Sequence, residues 1–162
     1  MPRYIQQLHD YSCAVAAVLN VGKWAGYKLT IKNDYKNIFN KIGCKQDGTS
    51  IKNIDNFLRE NFKTIKITKK RIPSFLETKN HIINNGPVLI SFSWQDNLSA
   101  DGISVHIGLF TEIINNYWTG HNVCDKEKTS HISEKEIKDY FYKMPTTPWS
   151  PKIWLLKKKI YA

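Results

Sequence analysis

Apolar and polar positions follow two different rhythms along this chain, and the change from one to the other falls at Asn85-Gly86. Before that point the spacing is mostly helical. From Cys13 to Ala25 the run CAVAAVLNVGKWA carries no charge until Lys23, which predicts a buried helix with Ser12, or the slightly earlier Asp10, as its capping residue. A second helix is expected from Asp34 to Ile42, ended by Gly43. A third, from Ser50 to Asn61, follows a Gly48-Thr49-Ser50 start, because Ile51, Ile54, Phe57, Leu58 and Phe62 recur at helical spacing. Thr64 to Thr68 (TIKIT) alternates as a strand does, and Pro73 fits the first turn of a helix running to about Asn84.

After Gly86 the pattern is that of strands. PVLISFSW, SVHIGLFTEII and NYWTGHNV read as extended, the last two joined by the turn-forming pair Asn115-Asn116. A helix from Ser133 to about Tyr142 and a final strand from Lys152 to Tyr161 complete the series. The proline-rich stretch Pro145 to Pro151 is too short to separate domains, so the last strand is expected to return to the same sheet. Helices gathered in the first half and strands in the second predict an α+β fold with a mainly antiparallel sheet, and 162 residues predict one domain over 1–162.

Composition narrows the class. With 41% hydrophobic and 12% aromatic residues spread along the chain, a packed core is expected and disorder is excluded. No segment approaches the roughly 18 to 20 apolar residues of a membrane span, and MPRYIQQLHDYS lacks a signal-peptide run, so a cytoplasmic protein is expected. The three cysteines, Cys13, Cys44 and Cys124, suggest neither a disulfide framework nor a zinc site, and no metal or other cofactor is expected. A net charge of +10 favours acidic partners, although the lysines are spread rather than blocked. The densest basic stretches are Lys66 to Arg71 and Lys157 to Lys159. Nucleic-acid binding would require these to form one face with exposed aromatics.

Candidate chemistry centres on Cys13. At the start of a helix, unpaired N–H groups and the positive dipole end favour a thiolate, so a lowered thiol pKa is expected. Of five histidines, His106 is the strongest base candidate, because a polar ring within the apolar strand Val105-His106-Ile107-Gly108-Leu109-Phe110 requires a reason. His9 is too near Cys13 for its spacing to be read, and His81 and His131 lie in solvent-facing contexts. Alone, a cysteine before an apolar helix is more often a small buried hydrophobe than a nucleophile. Cys44 and Cys124 are read as inert. Trp94, Trp118, Trp149 and Trp154 are read as core and sheet-edge residues, with Trp118 also able to shield the imidazole from water.

Taken together, Gln7, Cys13 and His106 resemble the papain-like peptidases, and within them the bacteriocin-processing peptidases that cleave double-glycine leader peptides, with their stand-alone relatives. Gln7 precedes Cys13 by six residues, the spacing at which that superfamily sets a glutamine amide in the oxyanion hole. GTSIKNIDNFLRENF resembles the family's second packing helix, and NNGPVLISFSW the strand entering its active-site sheet. The resemblance implies a papain-like fold and a third residue that orients the imidazole. Asn122, sixteen residues after His106, fits that place. Asp125 is the alternative, because a strict two-residue hairpin at Asn115-Asn116 sets residue 125 opposite residue 106, whereas a bulge or a longer loop restores Asn122. The chain departs from the bacteriocin-processing branch in reading Ser12-Cys13-Ala14 and Asn122-Val123.

The resemblance implies a cysteine peptidase, or a related thiol hydrolase, acting on a peptide or protein substrate through a Cys13 thioester. The same thioester supports acyl transfer to an amine or thiol. A catalytically inactive papain-like binding module is the alternative from another class, and a basic nucleic-acid-binding protein a more distant one. With six residues ahead of Gln7, a zymogen of the papain kind is not expected.

Overall fold

The computed structural model describes residues 2–9, 11–46, 49–70, 74–93, 105–124, 127–139 and 152–160. Helix α1 spans Cys13–Trp24, and its residues Ala14 to Gly22 are all buried. A helix that is apolar on every side belongs in the middle of a fold, and α1 packs against two further helices on one side and against the sheet on the other. Ser12 occupies its N-cap position without capping it through the side chain; the Ser12 carbonyl takes the N–H groups of Val15 and Ala16 instead. Asp10, the other capping candidate, lies outside the described residues.

Helix α2 spans Ile31–Lys41, starting three residues before the expected Asp34. The reason is its cap: Thr30 Oγ1 accepts from Asn33 N–H at 3.1 Å while Asp34 accepts from Thr30 N–H at 2.7 Å. Helix α3 spans Ile51–Asn61 behind a Ser50 cap and buries Ile54, Phe57 and Leu58. Asn53 of α3 also donates to the Ile42 carbonyl at the end of α2, at 3.0 Å. Strand β1 is Ile65–Lys70, and helix α4 is Phe75–Asn84. Ser74 caps α4, so the helix begins after Pro73, which lies outside the described residues.

The remaining strands are β2 (Val88–Ser93), β3 (Val105–Ile114), β4 (Tyr117–Cys124), β5 (Glu127–Ser133) and β6 (Lys152–Lys158), with α5 (Glu134–Ile137) between the last two. They form one six-stranded sheet in the order β1-β6-β2-β3-β4-β5, antiparallel at every junction. The final strand does return to this sheet, between β1 and β2. The hydrophobic pattern does not predict β5, because EKTSHIS carries only one apolar residue, Ile132; it is an edge strand held by pairing with β4. Ser133 starts α5 through a reciprocal capping box with Glu136; the expected extension to Tyr142 passes outside the described residues beyond 139.

Two cores lie on opposite faces of the sheet. One packs α1, α2 and α3 over Leu89, Ile107, Leu109, Trp154 and Leu156. The other sets Ile82 of α4 and Ile137 of α5 against Val88, Ile90, Phe110, Trp118 and Val123. Trp118 and Trp154 are thus core residues, Trp154 also donating to Asp55 at 3.0 Å. Trp94 and Trp149 lie outside the described residues. Among the described residues, no helix is long and apolar enough to cross a membrane.

Candidate active site

The segment before α1 is tied down by side chains that the hydrophobic pattern does not reveal. Asn20, fully buried in α1, accepts from Ile5 N–H at 2.8 Å and donates to the Ile5 carbonyl at 3.1 Å, pairing with that residue as a neighbouring strand would. Further along, Ser12 Oγ exchanges hydrogen bonds with both the N–H and the carbonyl of His9 at 3.0 Å. The Tyr35 hydroxyl donates to the same Ser12 oxygen and accepts from Leu8 N–H at 3.2 Å. This buried polar network fixes the approach of Gln7 and the start of α1 together.

Cys13 begins α1 and is half-buried, its sulfur within reach of the main-chain N–H groups of Ala14 and of Ile107 on β3. The helix start therefore meets the sheet at the residue that follows His106. These donors favour the thiolate, but burial outweighs them and pushes the Cys13 thiol up to about 11. The expected lowering of its pKa is thus reversed: desolvation costs the anion more than the helix N-terminus returns.

His106 is buried on β3, and its Nε2 donates to the main-chain carbonyl of Asn122 on β4. A carbonyl can only accept, so in the neutral ring Nε2 carries the proton and Nδ1 the lone pair. Asn122 is fully buried with φ +56°, a left-handed conformation that asparagine tolerates better than most residues. Its side chain is engaged elsewhere: Oδ1 accepts from Gln7 N–H at 2.9 Å, and Nδ2 donates to Gln7 Oε1 at 3.2 Å. The Gln7 amide nitrogen in turn donates to the His9 carbonyl at 2.9 Å.

Two irregularities bring β4 to this position. Asn115 and Asn116, with φ of 50° and 63°, form the two-residue turn, and Ile114 faces Tyr117 across it. Thr111 is then an extra residue on β3, so Phe110 faces Gly120 rather than His121. At Asn122 the chain turns, and Val123 packs over Gly108 and Gly120, where any added side-chain carbon would lie 2.7 Å and 2.5 Å from its methyl group. Both glycines are therefore required by the close approach of Val123.

Of the sequence candidates, Gln7, His106 and Asn122 are joined by hydrogen bonds, and Cys13 abuts Ile107. Asp125 and the side chain of Cys124 lie outside the described residues. Cys44 is buried, its thiol 3.6 Å from the Tyr11 carbonyl. His131 is exposed, whereas His81 is half-buried with Nε2 2.8 Å from the Leu156 carbonyl, so its expected solvent-facing context is corrected: the ring reaches the main chain of β6. Burial, and secondarily the charge of His131, pushes His121 down to about 4, and its ring stacks on Tyr4 at 3.8 Å. Among the described residues, no group of three His, Cys, Asp or Glu side chains is placed to hold a metal ion.

No protein-family model matches the sequence, and no curated protein matches it. Solved structures do match its fold. The peptidase domain of Streptococcus ComA, a bifunctional ABC transporter of a quorum-sensing pathway, superposes with a TM-score of 0.70 at 12% identity over 97% of this chain and 100% of that one. A Bacillus anthracis protein described as a C39-like peptidase gives 0.68 at 12% identity over 97% and 96%. The fold is that of the C39-like peptidase domains. A third such domain, the double glycine motif protease of an AMS/PCAT transporter, solved with its leader peptide, gives 0.66 at 13% identity over 98% and 93%. At such identities the likeness is one of fold alone.

Proposed function

We propose that the protein is a cysteine peptidase in which Cys13 is the nucleophile and His106 the base. The observation that carries this reading is the meeting of the α1 start with β3, where Cys13 abuts Ile107 and the preceding residue is a buried histidine whose Nε2 is committed to Asn122. The C39-like fold supports it, since the matching domains are peptidases.

In this reading the resting site holds a neutral thiol, and the neutral form of the His106 ring offers Nδ1 as the acceptor of its proton. Attack transfers the Cys13 proton to His106 Nδ1 as the sulfur bonds to the acyl carbon. The oxyanion is met by main-chain N–H at Cys13 and the Gln7 amide. Collapse of the tetrahedral intermediate breaks the C–N bond, and His106 returns the proton to the leaving amine. Water, deprotonated by His106, then attacks the thioester and releases the acid and the free thiol. The substrate class is a peptide, and Gly-Gly before the scissile bond is the first sequence to try, given the double glycine motif protease among the fold's relatives.

A fluorogenic Gly-Gly peptide panel tests this. Wild type is expected to cleave members of it, with Cys13→Ala and His106→Ala inactive, and iodoacetamide to label free Cys13 with a midpoint well above the ordinary value of about 8.5. Absence of cleavage, together with labelling that His106→Ala leaves unchanged, would overturn the reading.

A further inference from the structure

We propose that Asn122 is a positioning residue for Gln7, acting through its side chain, while the imidazole is held by the Asn122 main chain. The functional meaning of this division rests on the peptidase reading above. The division itself rests on four contacts: His106 Nε2 to the Asn122 carbonyl, Gln7 N–H to Asn122 Oδ1 at 2.9 Å, Asn122 Nδ2 to Gln7 Oε1 at 3.2 Å, and Gln7 Nε2 to the His9 carbonyl at 2.9 Å.

Chemistry requires a carboxamide at residue 122. Its oxygen accepts from the Gln7 main chain and its nitrogen donates to the Gln7 side chain, so the two residues close a reciprocal pair. Because Gln7 Oε1 is the end that faces Asn122, the orientation of the Gln7 amide is determined, with its NH2 directed away from Asn122 toward the His9 side. An oxyanion hole needs that polarity, since a flipped amide would present oxygen to developing negative charge. Aspartate at 122 would keep the first bond and set a carboxylate oxygen against Gln7 Oε1. Where an acidic or amide side chain orients the imidazole, Asn→Asp is a mild change; here it is a disruptive one.

The left-handed backbone at Asn122 makes both tasks compatible. The same φ of +56° sends the carbonyl to His106 on one side and the carboxamide to the N-terminal segment on the other. Burial of the whole residue removes water as a substitute partner. One residue thereby couples the placement of the base to the placement of the oxyanion donor.

The test compares Asn122→Gly, which keeps the carbonyl and tolerates the backbone angle, with Asn122→Asp, Gln7→Ala and the Gln7→Ala/Asn122→Gly double variant. Two Cys13 reagents separate the tasks: p-nitrophenyl acetate creates an oxyanion on attack, and iodoacetamide, substituted at a saturated carbon, creates none. Asn122→Gly, Asn122→Asp and Gln7→Ala are each expected to slow acylation by about 10-fold or more, the double variant no further than Gln7→Ala, with the pH profile of alkylation unchanged. In nitrogen-15 spectra of the full chain, Asn122→Gly should shift the Gln7 side-chain amide and leave the His106 ring resonances in place. The proposal is overturned if Asn122→Gly moves the alkylation profile and the His106 resonances as a loss of imidazole support would, or if Asn122→Asp behaves as wild type. Should wild-type Cys13 acylate no faster than a free thiol, the peptidase reading fails, and the Gln7 and His106 resonances still decide what Asn122 holds.

Discussion

A single buried residue can carry a large part of this protein's response to pH. His121 is neutral in the fold, with Thr111 Oγ1 2.8 Å from Nε2 and Thr129 Oγ1 3.1 Å from Nδ1. Its pKa is lowered from 6.5 to about 4, so the unfolded chain binds the proton more tightly than the folded one. The associated stability is fully present above pH 6.5 and is lost as pH falls toward 4, amounting to up to about 3 kcal/mol. Urea unfolding of wild type and His121→Gln should show wild type losing more stability between pH 7 and pH 4.5; equal losses would refute the assignment. The rings of His121 and His106 are both buried on neighbouring strands, yet the first meets hydroxyls that serve as donor or acceptor, and the second meets a carbonyl that fixes its tautomer. Sequence context singles out His106 by its apolar neighbours; His121, between Gly120 and Asn122, carries no such mark, whereas Asn20 lies in an equally apolar run, Leu19-Asn20-Val21.

At the scale of elements, the β3–β4 hairpin decides which residue reaches the histidine. Asn115-Asn116 was legible as its turn, because both positions require positive φ and asparagine tolerates it. The bulge at Thr111 was not legible, since an extra residue on one strand leaves no mark on the hydrophobic alternation nearby. Asn116→Val should cost about 1–2 kcal/mol, and Asn116→Gly should be neutral or stabilising by a few tenths. Thermal melts of the two variants measure this, and equal melting temperatures would show that the turn is not held in its left-handed form. Strand β5 is not legible in the sequence either, for a related reason. A polar edge strand owes its conformation to the ladder offered by β4, which its own residues do not encode.

Across the whole molecule, strand pairing gathers part of the +10 charge. Lys66 on β1 lies directly opposite Lys157 on β6, and both are exposed, so the two densest basic stretches of the sequence meet at one edge of the sheet. Like charges across a strand pair repel, and Lys66→Glu should stabilise the fold by a few tenths of a kcal/mol or more at low salt. The gain should vanish as salt screens the pair, which melting curves from low to high ionic strength will show; a gain indifferent to salt would rule out an electrostatic origin. Local pattern suffices for the α+β class, the buried first helix, the antiparallel sheet with its returning last strand, and Cys13 and His106 as candidates, because periodicity and residue type act locally, whereas Gln7 and Asn122 are candidates only through the resemblance to the papain-like peptidases. Tertiary structure alone decided the edge strand, the bulge, the division of labour within Asn122 and the rise in the Cys13 pKa. Each of these depends on groups far apart in the chain and on the exclusion of water between them, which no local pattern records.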